Sequence, residues 1–143
     1  MTSSIFPDVN VWLALSHEVH VHHAVTVRWF AAQSESATFV FCRQTQMGLF
    51  RLLTTEAIVG PQVLTQDECW ALYDRWVLGG KAIFLGEPIT QEAAWRPRCS
   101  ANLPSPKTWT DTYLAAFAQA AGLTLVTFDR ALAARVAGSV LLA

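Results

Sequence analysis

The sequence predicts an α/β fold in which helices alternate with the strands of a mainly parallel sheet. Runs such as ATFVF and LTLVTF are β-branched or aromatic and continuously apolar, which is typical of strands buried on both faces. Segments with helical spacing of their apolar residues lie between these runs. Strands in this order are joined by right-handed crossovers, so helices cover both faces of the sheet.

The first strand and the first helix meet at a single acidic residue. Residues 3–7 form a short run that ends at Pro7, and Asp8 opens a helix in which Val9, Trp12 and Leu13 follow helical spacing. An ionised carboxylate beside a core is costly unless a partner compensates it. The sequence therefore predicts that another part of the chain supplies a partner for Asp8.

A helix, a strand and a further helix follow in the next part of the chain. We predict the first helix at residues 22–33 from its apolar face, and the strand at 37–41 from its β-branched and aromatic content. The second helix is predicted at 43–54, with Met47 and Leu53 among the residues that face inward.

Capping residues locate the next two helices. Thr65, followed three residues later by Glu68, forms a capping box and opens a helix. Thr90 is predicted to cap another. The elements predicted here are a helix at 65–78, a strand at 82–85 and a helix at 90–99.

The last part of the chain contains the clearest helix. It is predicted at residues 109–122 and ends at Gly122, which suits the position after a helix C-terminus. An apolar strand at 123–128 precedes Asp129. A short helix beginning at Arg130 and a strand at 139–143 complete the chain.

Length and composition favour one compact domain over residues 1–143. The 10 Lys and Arg against 11 Asp and Glu argue against nucleic-acid binding through bulk charge, although a local basic or metal site remains open. The three cysteines, widely spaced and odd in number, favour free thiols in a reducing compartment. Without a signal peptide or a membrane-spanning run, we expect a cytoplasmic protein.

Three acids from distant positions are expected to converge. Asp8 and Asp129 follow two strands at the carboxyl edge, where sites form in such sheets, and Asp111 lies in the first turn of a predicted helix. Each acid alone would also suit a helix N-terminus. Together they predict a site for Mg²⁺ or Mn²⁺. The histidines of HEVHVHHA could suggest a zinc site, but the sequence favours a solvated loop there.

The chain resembles the PIN-domain ribonucleases, and more closely the VapC-type toxins of bacterial toxin–antitoxin pairs. The resemblance rests on FPDVNVWLAL, CRQTQMGLFRLLT and TDTYLAAFAQAAGLTLVTFDRAL, taken in that order. It implies a three-layer α/β/α fold, Mg²⁺- or Mn²⁺-dependent endoribonuclease activity, a homodimer and inhibition by an antitoxin. Through it, Asp8, Asp111 and Asp129 match the catalytic and metal-binding acids, and Asn10 and Thr127 match their supporting residues.

The chain departs from this pattern at two positions. Gln46 stands where the motif of similar relatives has a Glu, and Ala131 stands where another acid is common. Gln46 can orient water through its amide oxygen but contributes no charge. A carboxylate restored by Gln46→Glu is expected to tighten metal binding. Arg51 and Arg130 are candidate contacts to RNA phosphates.

The missing acids keep a second interpretation open, which is a degenerate PIN domain that binds RNA or protein without cutting. Two other folds that gather acids at strand ends are disfavoured. A phosphoacceptor receiver domain needs paired acids after its first strand and a lysine after its last, and the chain has neither. A dehalogenase-like phosphatase needs D-x-D where this chain has Asp8-Val9-Asn10.

Overall fold

A computed structural model describes residues 3–142 and confirms the predicted α/β class. Its five strands are β1 Ser4–Pro7, β2 Thr38–Phe41, β3 Ala82–Phe84, β4 Thr124–Thr127 and β5 Val140–Leu141. They form one sheet in the order β3-β2-β1-β4-β5, and every neighbouring pair is parallel. The last residue of the strand predicted at 139–143 lies outside the described residues.

The segments between the strands are mainly helical, as predicted. The helices of the described chain are α1 Val9–Ser16, α2 His23–Ala31, α3 Arg43–Leu53, α4 Glu56–Val59, α5 Gln66–Leu78, α6 Gln91–Trp95, α7 Pro106–Ala121 and α8 Arg130–Ala133, with single 3₁₀ turns at Gly60–Gln62 and Arg96–Cys99. None of the helices within residues 3–142 has both the length and the apolar run needed to cross a membrane.

Helices cover the sheet on both faces, and each face has its own apolar cluster. On one face, the Trp12 ring of α1 stacks on Phe41 of β2 with a centroid distance of 3.9 Å. On the other, Phe6 of β1 stacks on Phe117 of α7 at 5.1 Å. The continuously apolar strands arise from this two-sided burial.

The inward face of α3 differs from the prediction. Met47 is 54% exposed, whereas Leu49 is fully buried. The buried positions are Thr45, Gln46, Leu49 and Leu53, which repeat at three- and four-residue intervals. Met47 lies off this face, so its predicted inward orientation is wrong.

Of three helix starts, one has its predicted cap and two differ from the prediction. The Thr65 and Glu68 capping box at α5 is confirmed by reciprocal hydrogen bonds of 3.2 and 3.0 Å, but Thr90 makes no side-chain cap bond at α6. Helix α7 begins at Pro106, earlier than predicted, because proline is tolerated in a first turn, where its missing N–H has no partner to lose. Asp111 therefore lies in the second turn of α7.

Candidate active site

Asp8 is a buried carboxylate at the junction of β1 and α1. Its Oδ1 accepts a hydrogen bond from the Val11 backbone N–H at 3.0 Å, and its Oδ2 accepts one from the Thr127 hydroxyl at 2.5 Å. The residue is 6% exposed. The pKa of Asp8 is raised, chiefly because burial removes water from the carboxylate. The charge of Asp129 raises this pKa further, whereas the two hydrogen bonds lower it.

Asp129 follows the neighbouring strand β4 and is more accessible to solvent. Its Oδ1 caps α8 by accepting from the N–H groups of Ala131 and Leu132, at 2.8 and 3.1 Å. Its Oδ2 accepts from the Lys107 ammonium at 3.2 Å. The pKa of Asp129 is lowered, chiefly by the hydrogen bond from the Leu132 N–H. The Lys107 ammonium lowers this pKa further, whereas partial desolvation raises it.

Thr127 connects the two acids. Its hydroxyl donates to Asp8 and accepts from the Asp129 backbone N–H at 2.9 Å. This hydroxyl therefore fixes the Asp8 carboxylate relative to the start of α8. Parallel pairing of Pro7 with Val126 brings both carboxylates to the carboxyl edge of the sheet.

Asp111 approaches this edge through the N-terminal end of α7. Lys107, one turn earlier on α7, has a raised pKa because it donates to Asp129 and lies near the charges of Asp129 and Asp111. A lysine in the first turn of a helix is disfavoured by the helix dipole, so these acids account for its placement. Lys107 is thus a cation beside two of the three predicted metal ligands, and sequence reasoning missed it.

The donor chemistry suits a hard divalent cation. All three acids offer carboxylate oxygens, and burial leaves the Asp8 charge only partly compensated by neutral donors. Among residues 3–142, however, no three His, Cys, Asp or Glu side chains already lie close enough together to hold a metal ion. The three acids therefore fit Mg²⁺ or Mn²⁺ by the chemistry of their donor atoms, whereas their present spacing does not form a metal-binding cluster.

Gln46 is buried in the first turn of α3, at the carboxyl edge of β2. Its Oε1 accepts from the Arg43 guanidinium at 2.6 Å, and the residue is 3% exposed. Arg43 itself is exposed, and sequence reasoning missed it too. Its position just after β2, the strand that pairs with β1, is the feature of the sequence that could have identified it as a site residue. Asn10, also exposed, lies in the first turn of α1 beside Asp8.

The two arginines proposed as phosphate contacts lie in different places. Arg130 is exposed and directly follows Asp129 at the carboxyl edge. Arg51 lies eight residues beyond Arg43 on α3, or about 12 Å along the helix axis. It lines a shallow pocket with Phe50 and Trp70 between α3 and α5. Arg130 is therefore beside the acids, whereas Arg51 is not.

The histidines make separate local contacts. His17 is buried, so the solvated loop predicted for this segment is wrong at that position. His23 bonds the Ala14 carbonyl through Nδ1 at 2.7 Å, and the His22 ring stacks on Phe128 at 4.6 Å. Burial, followed by the charges of the neighbouring histidines, lowers the pKa of His20.

Comparison with known proteins assigns the family. The chain matches the PIN domain over residues 5–138. It is 41% identical over 128 residues to Ribonuclease VapC41 of Mycobacterium tuberculosis, covering 87% of this chain and 88% of the relative.

Solved structures share the fold. VapC20 of Mycobacterium tuberculosis, described as a Sarcin-Ricin loop cleaving toxin, superposes with a TM-score of 0.62 at 17% identity, covering 91% of this chain and 93% of that one. VapBC2 of Rickettsia felis, bound to a DNA fragment from its promoter, superposes with a TM-score of 0.59 at 12% identity and 96% coverage of both chains. With its parallel sheet and its acids at the carboxyl edge, the chain belongs to the PIN-domain family, among the VapC-type ribonucleases.

Proposed function

We propose that the protein is a metal-dependent endoribonuclease and the toxin of a toxin–antitoxin pair. One observation carries the proposal. Asp8 is buried and ionisable, and Thr127 ties it to Asp129 at the carboxyl ends of neighbouring strands. A buried carboxylate beside a second acid is destabilising without a cation, so this arrangement is better explained by function than by stability. The 41% identity to a named ribonuclease supports the same activity.

Asp8, Asp111 and Asp129 would hold Mg²⁺ or Mn²⁺ in this proposal. The bound metal would lower the pKa of a water and neutralise charge on the phosphorane-like transition state. Thr127 keeps the Asp8 carboxylate oriented, while Asn10 and Gln46 would act as supporting residues. Arg130 is placed to contact an RNA phosphate beside the acids. Arg51 would contact the RNA only farther from the metal.

The experiment that tests this function compares three isosteric variants with one control. Asp8→Asn, Asp111→Asn and Asp129→Asn should each abolish cleavage of single-stranded RNA with Mn²⁺. Asp74→Asn removes an exposed acid from α5 and should cleave as the wild type does. Full activity in any one of the three would remove that residue from the metal site.

The competing candidate is a PIN domain that binds RNA or protein without cutting. Gln46 and Ala131, which are neutral where the resemblance to the family leads us to expect acids, favour this candidate. A wild-type protein that binds RNA but leaves it intact at saturating Mn²⁺ would establish it. Cleavage that depends on all three acids would exclude it.

The partners follow from the family. VapBC2 of Rickettsia felis and FitAcB of Neisseria gonorrhoeae share the fold, with TM-scores of 0.59 and 0.50. We infer a cognate antitoxin, whose tail covers the acidic edge and inhibits cleavage, and a homodimeric protein in the cytoplasm. Saturating antitoxin should stop cleavage, and unimpeded cleavage would exclude this form of inhibition.

A further inference from the structure

Arg43 presents a guanidinium group at the same sheet edge as the acids. It is the first residue of α3 and follows the N-cap Cys42, which comes directly after β2, the strand that pairs with β1. Neighbouring strands lie about 5 Å apart, so Arg43 is one strand removed from Asp8. The Arg43 backbone is therefore one strand from Asp8, and its guanidinium, which lies over Phe84 of β3, extends along the same edge away from β1. It does not belong to the hydrogen-bond network of the acids.

Two contacts orient this guanidinium. Its Nη1 donates to Gln46 Oε1 at 2.6 Å, and its Cζ lies 4.3 Å from the centroid of the Phe84 ring at the end of β3. A hydrogen bond in the guanidinium plane and an aromatic ring against its face together define the direction of that plane. Arg43 is thus held in place although it is exposed.

The charge of Arg43 is not neutralised by an acid. The ion pairs found within residues 3–142 are Arg96 with Glu92 and Lys107 with Asp129, and neither includes Arg43. Gln46 supplies an acceptor oxygen without a negative charge. A guanidinium has five N–H donors, so the donors that do not bond to Gln46 can bind a further group.

We propose that Arg43 binds a phosphate of the RNA strand that flanks the scissile one, and that Gln46 is its positioning residue. The inference rests on the proposed function and deepens it. A Glu at position 46 would form an ion pair with Arg43 across the same 2.6 Å contact. The guanidinium charge would then be neutralised and would attract a phosphate less strongly. In a chain of net charge −1, a cation at the substrate edge that no acid neutralises adds to the attraction for RNA.

The first test measures RNA binding apart from cleavage. Wild type and variants are titrated against a fluorescein-labelled, mixed-sequence single-stranded RNA of about 12 nucleotides in EDTA, across a series of KCl concentrations. Arg43→Ala should weaken binding by about three- to tenfold and lower the slope of log affinity against log salt by about 0.7. Arg43→Lys should retain the slope, because it retains the charge.

Arg75→Ala is the matched control. It removes the same charge from the last turn of α5, which leads into the amino end of β3 at the opposite edge of the sheet. Its affinity and slope should remain near those of the wild type. Equal RNA affinity and equal slope for Arg43→Ala and Arg75→Ala would overturn the proposal.

The positioning role of Gln46 is tested by two variants with distinct expected results. Gln46→Glu should reduce affinity and slope as Arg43→Ala does, since the new carboxylate neutralises the guanidinium. Gln46→Met removes the acceptor oxygen at similar volume, so it should weaken binding by about twofold with the slope unchanged. Wild-type RNA binding by Gln46→Glu, in protein with an unchanged melting temperature, would refute the positioning role.

This design separates the inference from the proposed function. If Arg43→Ala weakens binding in EDTA while the wild type leaves RNA uncut with Mn²⁺, the phosphate contact stands and the nuclease function fails. If the wild type cuts RNA and Arg43→Ala binds it unchanged, the nuclease function stands and the phosphate contact fails.

Discussion

Asp8 and Asp129 carry the same carboxyl group in opposite electrostatic environments. Burial raises the pKa of Asp8, whereas the N–H groups of α8 and the Lys107 ammonium lower that of Asp129. The metal-free fold is thus weakened by one ionised acid and strengthened by the other. Removal of a carboxylate from this cluster should therefore not have the same effect on stability at every position.

Asp8→Asn and Asp129→Asn should therefore shift stability with opposite pH dependence in chelator. A raised folded pKa means that wild-type Asp8 costs stability above that pKa and that the cost disappears as pH falls through it. The advantage of Asp8→Asn in melting temperature should be largest near pH 7 and shrink towards about pH 4. Ionised Asp129 stabilises above its unfolded pKa, so Asp129→Asn should lose stability near pH 7 and recover in acid. Parallel trends would contradict these environments.

Lys107 predicts a second effect at the residue scale. Its ammonium bonds Asp129 at 3.2 Å, so it competes with any metal for that carboxylate. Lys107→Gln should tighten Mn²⁺ binding by about two- to fivefold in calorimetry without RNA. Lys81→Gln, which changes the same charge just before β3, should leave Mn²⁺ affinity unchanged. Weaker Mn²⁺ binding by Lys107→Gln would show that the lysine supports the metal site.

At the scale of elements, Thr65 and Thr90 both stand at the N-cap position of a helix and can be compared directly. Thr65 completes its capping box, whereas Thr90 makes no side-chain cap bond. Thr65→Ala should cost about 1 kcal/mol in urea unfolding, and Thr90→Ala should cost close to nothing. Equal losses would mean that the helix starts do not differ as described.

The close approach of α1 and α3 predicts an energetic coupling. A Cβ added at Gly48 would lie 2.7 Å from Cγ2 of Val9, which follows Asp8. Gly48→Ala should destabilise the wild type but stabilise a Val9→Ala background, where its better helix propensity is not opposed by the clash. The double-mutant cycle should give a coupling of about 1–2 kcal/mol. Additive effects would contradict the contact.

The elements and the edge that carries the acids could be predicted because they depend on local patterns. Alternating strands and helices, the capping box at Thr65 and the acids after β1 and β4 are all readable along the chain. The Arg43–Gln46 bond and the Lys107–Asp129 pair could not be read, because they depend on side-chain directions at packed helix ends. Met47 was misplaced for a related reason, since apolar character alone does not fix the buried face of a short helix.

At the scale of the whole molecule, the expected homodimer is consistent with the exposed apolar side chains of α3 and α5. Met47 and Trp70 are 54% and 50% exposed. Such side chains are common at subunit interfaces. Light scattering at high micromolar concentration should give twice the 15.8 kDa chain mass. A strict monomer would contradict the dimer.

The strand order has a consequence for how the protein is made. Strand β1 is synthesised first, yet it lies between β2 and β4, and Asp8 receives its hydroxyl donor from Thr127, 119 residues later. A nascent chain that has not yet released β4 from the ribosome exposes one side of β1 and leaves Asp8 without that donor. Its acids cannot take up their final arrangement before β4 emerges. A nuclease built in this order becomes competent only after β4 has left the ribosome and paired with β1.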